Sequence, residues 1–297
     1  MTRRISRRAL LGTAGAAAIG TISGCISIGS GVSEAFERSY EANDLTVEGC
    51  VGDLRVERTD REDILVEGEK HANDEDELDQ LSLDSDSDGE SLVLRVENDA
   101  DTGTLLFGST PKFDLEVTVP ATSTIDSLST NTGDLTAETG PDPTSVETDT
   151  GDIRVADGSV DVRTNTGEVE MEESAMPTEI RSDTGDVTIQ NGSTLQQVDT
   201  DTGDVTVAFP SLDGDVSITT ETGDISISLS ADLDVTADAD TSTGDVDRSG
   251  LEFEDVVRGR AGSRERSVRG PTGSLSGRAP ATCASVRSTD RVAETAV

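Results

Sequence analysis

Aromatic side chains are almost missing from this sequence: its 297 residues include no tryptophan, one tyrosine and five phenylalanines. A broad core built around packed rings is therefore excluded. A sugar site walled by aromatic platforms is excluded too, because Phe36, Tyr40, Phe107, Phe113, Phe209 and Phe253 are scattered along the chain. Positive charge is equally scarce. Lysine occurs only at Lys70 and Lys112, against 61 acidic residues and a net charge of −38. With no basic groove and no glycine-rich phosphate loop, nucleic acid and bare anionic membrane surfaces are poor partners. A single histidine, His71, leaves a histidine-based triad or a zinc site without companions. Three cysteines (Cys25, Cys50 and Cys283) are too few for a disulfide framework.

What is abundant is carboxylate. Such a surface repels itself in dilute solution, and near 1 M salt the screening length falls to about 3 Å. The acidic, lysine-poor composition thus implies life in concentrated salt and a haloarchaeal origin.

The first residues read as a targeting segment rather than as part of a fold. Residues 1–24 carry Arg3-Arg4 and Arg7-Arg8, then a small apolar run from Ala9 to Ile22 that is too short to span a bilayer. Ser6-Arg7-Arg8-Ala9-Leu10-Leu11 is similar to a twin-arginine export signal, with Arg7 and Arg8 as its pair. Ile22-Ser23-Gly24-Cys25 resembles a lipobox, which implies lipidation at Cys25 and a short tether over residues 25–35. The expected address is the outer face of the cytoplasmic membrane. A plain cleaved signal with an incidental cysteine is the bland alternative.

The strongest pattern lies between Thr130 and Asp245, where Thr-x-Thr-Gly-Asp recurs with small changes around Gly133, Gly151, Gly167, Gly185, Gly203, Gly223 and Gly244. Their spacings are 18, 16, 18, 18, 20 and 21 residues. A period near 18 indicates one small unit stacked on copies of itself. Counting from each glycine, position −5 is aliphatic (Leu128, Val146, Val162, Ile180, Val198, Ile218), or alanine at Ala239. Position −3 is threonine or Ser182, and position −1 is always threonine. Positions +2 and +4 are aliphatic or otherwise apolar until Arg248. Alternation on each side predicts two strands per unit. The parity change between −1 and +2 makes Gly-Asp a corner. The expected architecture is all-β: a single-stranded parallel β-solenoid with coils of about 18 residues, rungs about 4.8 Å apart and a narrow aliphatic core. An antiparallel sandwich is the rival, less suited to a constant corner dipeptide.

Gly52-Asp53 repeats the step upstream. Further strands are expected at 63–66, 91–97 and 113–119, with residues 71–90 a solvated acidic loop. The solenoid domain is bounded at 36–257. Residues 258–297 differ, with eight arginines and three acidic residues against 58 acidic and 11 basic residues over 31–257. A reading-frame shift near Arg258 would produce this, and the rival is a genuine basic tail that folds back onto the acidic solenoid; residues 258–297 are expected to be disordered.

The pattern apolar-x-Thr-x-Thr-Gly-Asp-apolar-x-apolar, from about Asp44 to Asp247, resembles the putative adhesin family of prokaryotic envelope proteins. The resemblance implies a β-solenoid, a cell-envelope setting, a non-enzymatic role and no catalytic residues to carry over.

Stacking would bring the corner acids into columns. Asp152, Asp186, Asp204 and Asp224 are thereby candidate Ca²⁺ ligands, since calcium takes six to eight oxygens. The rival is architectural: an aspartate beside a glycine corner accepts backbone N–H groups. No cofactor is implied, and nothing singles out two carboxylates for acid–base catalysis. Three classes of function follow. The first is a membrane-tethered adhesin or scaffold whose partner is an envelope protein or glycan. The others are a self-assembling solenoid polymer and a carbohydrate-active enzyme. Oligomeric state is not readable from these residues. If salt screening sustains the fold, dialysis from concentrated salt into dilute buffer abolishes its β-sheet circular dichroism; a cooperative melt retained in dilute buffer contradicts the halophilic reading.

Overall fold

The structure is a computed structural model, and it describes residues 26–28, 31–98, 111–212 and most of 214–249, with four short segments beyond. Arg7, Arg8 and Cys25 lie outside the described residues.

The repeat begins with β9 (Thr124–Thr132) in the chain, but its stack starts lower. In order, the preceding elements are β1 (Ile26–Ile28), β2 (Gly31–Tyr40), β3 (Asp44–Val51), β4 (Leu54–Thr59), β5 (Ile64–Ala72), a one-turn helix α1 (Glu75–Leu78), β6 (Leu81–Ser87), β7 (Ser91–Asn98) and β8 (Lys112–Pro120). Asp74 caps α1, accepting the Glu77 N–H at 2.9 Å. From β9 the coils continue through β10 (Leu135–Glu138), β11 (Thr144–Thr150), β12 (Ile153–Thr166), β13 (Val169–Thr184), β14 (Val187–Ile189), β15 (Gln197–Thr202), β16 (Val205–Phe209), β17 (Val216–Thr222), β18 (Ile225–Leu229), β19 (Val235–Ala239) and β20 (Val246–Ser249).

Two faces run the length of the stack. One orders β7, β3, β9, β11, the second half of β12, the second half of β13, β15 and β17, all parallel. The other orders β8, β4, β10, the first half of β12, the first half of β13, β14, β16, β18 and β20, again parallel. This is the parallel β-solenoid, and the sandwich alternative falls. The coil β3–β4 is stacked between β7–β8 and β9–β10, so chain order and stacking order differ at the base. Below β7–β8 the direction reverses: β6 runs antiparallel to β7, and β5 antiparallel to β8 and β2. These strands close the end of the stack, with Asp84 and Asp86 along β6 and Glu34 and Glu37 along β2 making the outer edges acidic.

The core is a set of aliphatic columns. Leu128, Val146, Val162, Ile180, Val198 and Ile218 are buried on one face; Leu135, Ile153, Val169, Val187, Val205 and Ile225 face them from the other. Phe113 and Phe209 fill the wider places.

Three expectations need correction. Residues 71–90 are not a loop: they end β5 and form α1, β6 and its turn to β7. Leu81-Ser82-Leu83-Asp84 alternates like a strand, and pairing with β7 overrides its acidity. The threonines at −1 are not an inward row. Thr132, Thr150, Thr166, Thr184, Thr202 and Thr222 are exposed, as are the residues at −2. The corner therefore spans four outward residues rather than the Gly-Asp pair. Nor does every coil hold two separate strands, since β12 and β13 each run from one corner to the next as a single bulged strand.

Position −3 faces inward. Thr130, Thr148, Thr164, Ser182, Thr200 and Thr220 are all at most 3 % exposed. Two of these hydroxyls serve corner glycines: Thr130 Oγ1 donates to the Gly133 carbonyl at 3.3 Å, and Thr220 Oγ1 to the Gly203 carbonyl at 3.2 Å. Thr130 and Thr148 also share a 2.8 Å hydroxyl contact. In contrast, the Thr164, Ser182 and Thr200 hydroxyls have no partner among the described residues. The two kinds of site respond oppositely to threonine-to-valine exchange. Thr130→Val strips a half-buried carbonyl of its donor and should cost about 1 kcal/mol, while Thr200→Val removes an orphaned hydroxyl and should be neutral or stabilising. Thermal melts in high salt read the difference, and equal losses would overturn this account of the column.

Candidate functional site

The recurring residue types of the repeat meet at one edge of the solenoid. Gly133, Gly151, Gly167, Gly185, Gly203, Gly223 and Gly244 stack in a column with φ between 134° and 151°. A Cβ on any of them would overlap the carbonyl oxygen of the glycine below, which is Gly52 in the case of Gly133. Glycine is required here by both backbone angle and space. Each corner also bonds upward through its backbone: Gly151 N–H donates to Thr166 O at 2.9 Å, and Ile153 N–H to Glu168 O at 2.8 Å.

Beside the glycines stand the corner carboxylates, and most are occupied in the same way. Asp114 Oδ1 accepts the Asp53 N–H at 2.8 Å, and Asp53 Oδ1 accepts the Asp134 N–H at 3.1 Å. Asp134 serves Asp152 at 3.0 Å, and Asp152 serves Glu168 at 2.8 Å. Asp186 serves Asp204 at 2.9 Å, and Asp204 serves Asp224 at 2.7 Å. Each carboxylate thus holds the rung above it. The second ladder, at −2, includes Asn165 Nδ2 donating to Asp149 Oδ1 at 3.1 Å. Of the Ca²⁺ candidates, Asp152, Asp186 and Asp204 spend one oxygen on this ladder. Among the described residues, no group of three or more His, Cys, Asp or Glu converges to hold a metal.

The foot of the ladder was invisible in the sequence. Lys112 Nζ lies 3.8 Å from Asp53 and 4.0 Å from Asp114, and His71 Nε2 lies 3.5 Å from Asp114 and 3.8 Å from Glu69. His71 sits on β5, not in a solvated loop. At the opposite edge Arg58 ties three turns together. It donates to Ala121 O at 2.8 Å, Ser123 O at 2.7 Å and Thr139 O at 2.5 Å. Desolvation lowers its pKa from the usual arginine value, against the pull of Asp142, Asp157 and Glu138. Nothing but its long-range contacts distinguishes it from other surface arginines, which is why sequence reasoning passed it over. On one sheet face a shallow hollow of about 200 Å³ is lined by Ser145, Glu147, Asp161, Arg163, Glu179 and Arg181.

The family scan matches Toastrack DUF4097 over residues 42–266. The chain belongs to the Toastrack DUF4097 family. No curated protein matches it. Among solved structures, this Toastrack chain is similar to a putative adhesin from Bacteroides fragilis, at 14 % identity and TM-score 0.36, over 73 % of this chain and 94 % of that one. A putative adhesin from Parabacteroides distasonis matches at 12 % identity and TM-score 0.30, over 73 % and 94 % of the two chains. A putative lipid binding protein from Parabacteroides distasonis matches at 12 % and 0.27, over 74 % and 84 %. At these scores the likenesses add nothing to the family membership. Among the described residues, no helix is long and apolar enough to cross a membrane.

One rung breaks the Toastrack ladder. Glu168 stands where aspartate stands elsewhere, and among the described residues no bond joins its carboxylate to the Asp186 N–H. Glutamate differs from the aspartate of the other rungs by one methylene. Glu168→Asp should restore that bond and raise stability by about 0.5–1.5 kcal/mol, measured as a higher midpoint in denaturant titration at fixed salt. An unchanged or lower midpoint would show that the ladder does not bear on stability.

Proposed function

We propose that this Toastrack chain is a non-enzymatic, lipid-anchored envelope protein that presents a rigid acidic solenoid at the outer face of the cytoplasmic membrane, as an adhesin-like module or scaffold. One observation carries the reading: the chemically richest residues of the repeat are committed to holding rungs together. The corner carboxylates accept backbone N–H groups of the next rung, so they serve as structural acceptors rather than as a paired acid and base. The anchor agrees with the geometry. β1 begins one residue after Cys25 and pairs with β2, at the closed base of the stack. A lipid on Cys25 would hold that base toward the membrane and leave the coils projecting outward for an envelope protein or glycan. The acidic antiparallel edge at the base disfavours head-to-tail stacking of identical copies.

The test is to fractionate cells producing the wild type or Cys25→Ala and to recover partners with the lipidated protein. Wild type in the membrane fraction, with the variant released, supports the tether. A variant that remains in the membrane fraction refutes it, and a wild type that recovers no envelope protein or glycan refutes the adhesin-like role.

A further inference from the structure

The turn after β14 contains a triplet that stacking alone does not demand. Of six asparagines in the chain, Asn191 alone opens an Asn-x-Ser/Thr sequence, Asn191-Gly192-Ser193. In exported proteins this is the acceptor for N-linked glycans, and it functions on surface turns. Asn191 and Ser193 are both partly exposed, and Gly192 between them is buried. A Cβ at Gly192 would meet the Phe209 ring at 2.6 Å, so packing fixes the middle of the triplet and turns its flanking residues outward. The carbonyl oxygen of the Asn191 side chain accepts the Ser193 N–H at 3.1 Å and the Ser193 hydroxyl at 2.6 Å. The hydroxyl that such a triplet requires is therefore folded against its own asparagine. Two coils earlier Asp157-Gly158-Ser159 passes this edge as bulged strand within β12, so a carboxamide is not a general requirement of the edge.

We propose that Asn191 carries an N-linked glycan in the exported protein. The inference rests on the export reading above. Its donor is a glycan joined through phosphate to a lipid of the envelope. Nδ2 of Asn191 bonds to the anomeric carbon while the carbon–oxygen bond to phosphate breaks. The phosphate leaves with the bonding pair and takes up the proton lost from the amide. The turn lies on the edge across from the glycine–aspartate corner, so the glycan clothes one edge of the solenoid and leaves the acidic ridge open.

Mass spectrometry of the full-length protein, purified from the cells that make it, decides the matter. The expected result is an Asn191 peptide heavier by a glycan, reduced to its bare mass by Ser193→Ala and by Asn191→Gln. Asn191→Asp, which keeps the side-chain oxygen that accepts from Ser193, serves as the second variant if the glutamine disturbs folding. An exported protein with an unmodified Asn191 peptide overturns the site and leaves export intact. A protein confined to the cytoplasm overturns both, and a glycan persisting in Asn191→Asp shows that another residue carries it.

Discussion

Glycine lying directly on glycine is the contact from which the rest of this solenoid follows. At each corner the carbonyl of one glycine points at the α-carbon of the next, where no side chain fits. That approach sets the rung spacing at the edge, and it leaves the glycine carbonyl outside the ordinary ladder of amide donors. A hydroxyl inside the core is placed to supply a donor: Thr130 reaches the glycine of its own coil, and Thr220 the glycine of the coil below. The carboxylate one residue later, outside the core, binds the next rung's N–H. Threonine, glycine and aspartate recur together because each answers a need created by the same close approach.

This chain of dependence explains why a chemically suggestive motif yields so little chemistry. Carboxylates at regular spacing resemble a cation site, yet most are committed to neighbouring rungs. What remains for recognition is the exposed row of threonines at −1, the pattern of exposed charge on the faces, such as Arg154 between Glu170 and Glu172, and the turns at the far edge. Toastrack membership fixes the scaffold, and individuality lies in these decorations.

Much of the fold was legible from periodicity. The aliphatic columns at −5, +2 and +4 were read correctly because alternation reports burial directly. The threonines at −1 were misplaced because alternation cannot show where a strand stops and a corner begins; Thr132 continues the arithmetic of Leu128 and Thr130 but not their geometry. The base was misread over 71–90 because composition was weighed above pattern: Asp84 and Asp86 signal solvent, yet they occupy the outward positions of a paired strand. Arg58 and Lys112 could not be found at all, since their partners lie up to 81 residues away in the chain. Of the last forty residues, four short segments are described as strands, at 258–260, 263–265, 275–277 and 284–288. Leu275–Gly277 lies antiparallel along β20, and Ala284–Ser288 along β17 and β19. The rest of that tail, with the expectation of disorder, falls outside the described residues.

The displaced first coil divides the molecule into two zones with different histories open to them. From Thr124 to Leu229 successive coils of the stack are successive in the chain, with Ala284–Ser288 laid against β17 from further along. A coil could be duplicated or deleted there by a single in-frame event without disturbing what lies beneath. Below that point β3 and β4 are held between segments synthesised after them. No coil can be added or lost there without re-pairing everything around it. Toastrack proteins built this way would vary in length by growing at one end, over a foundation that evolves only by substitution.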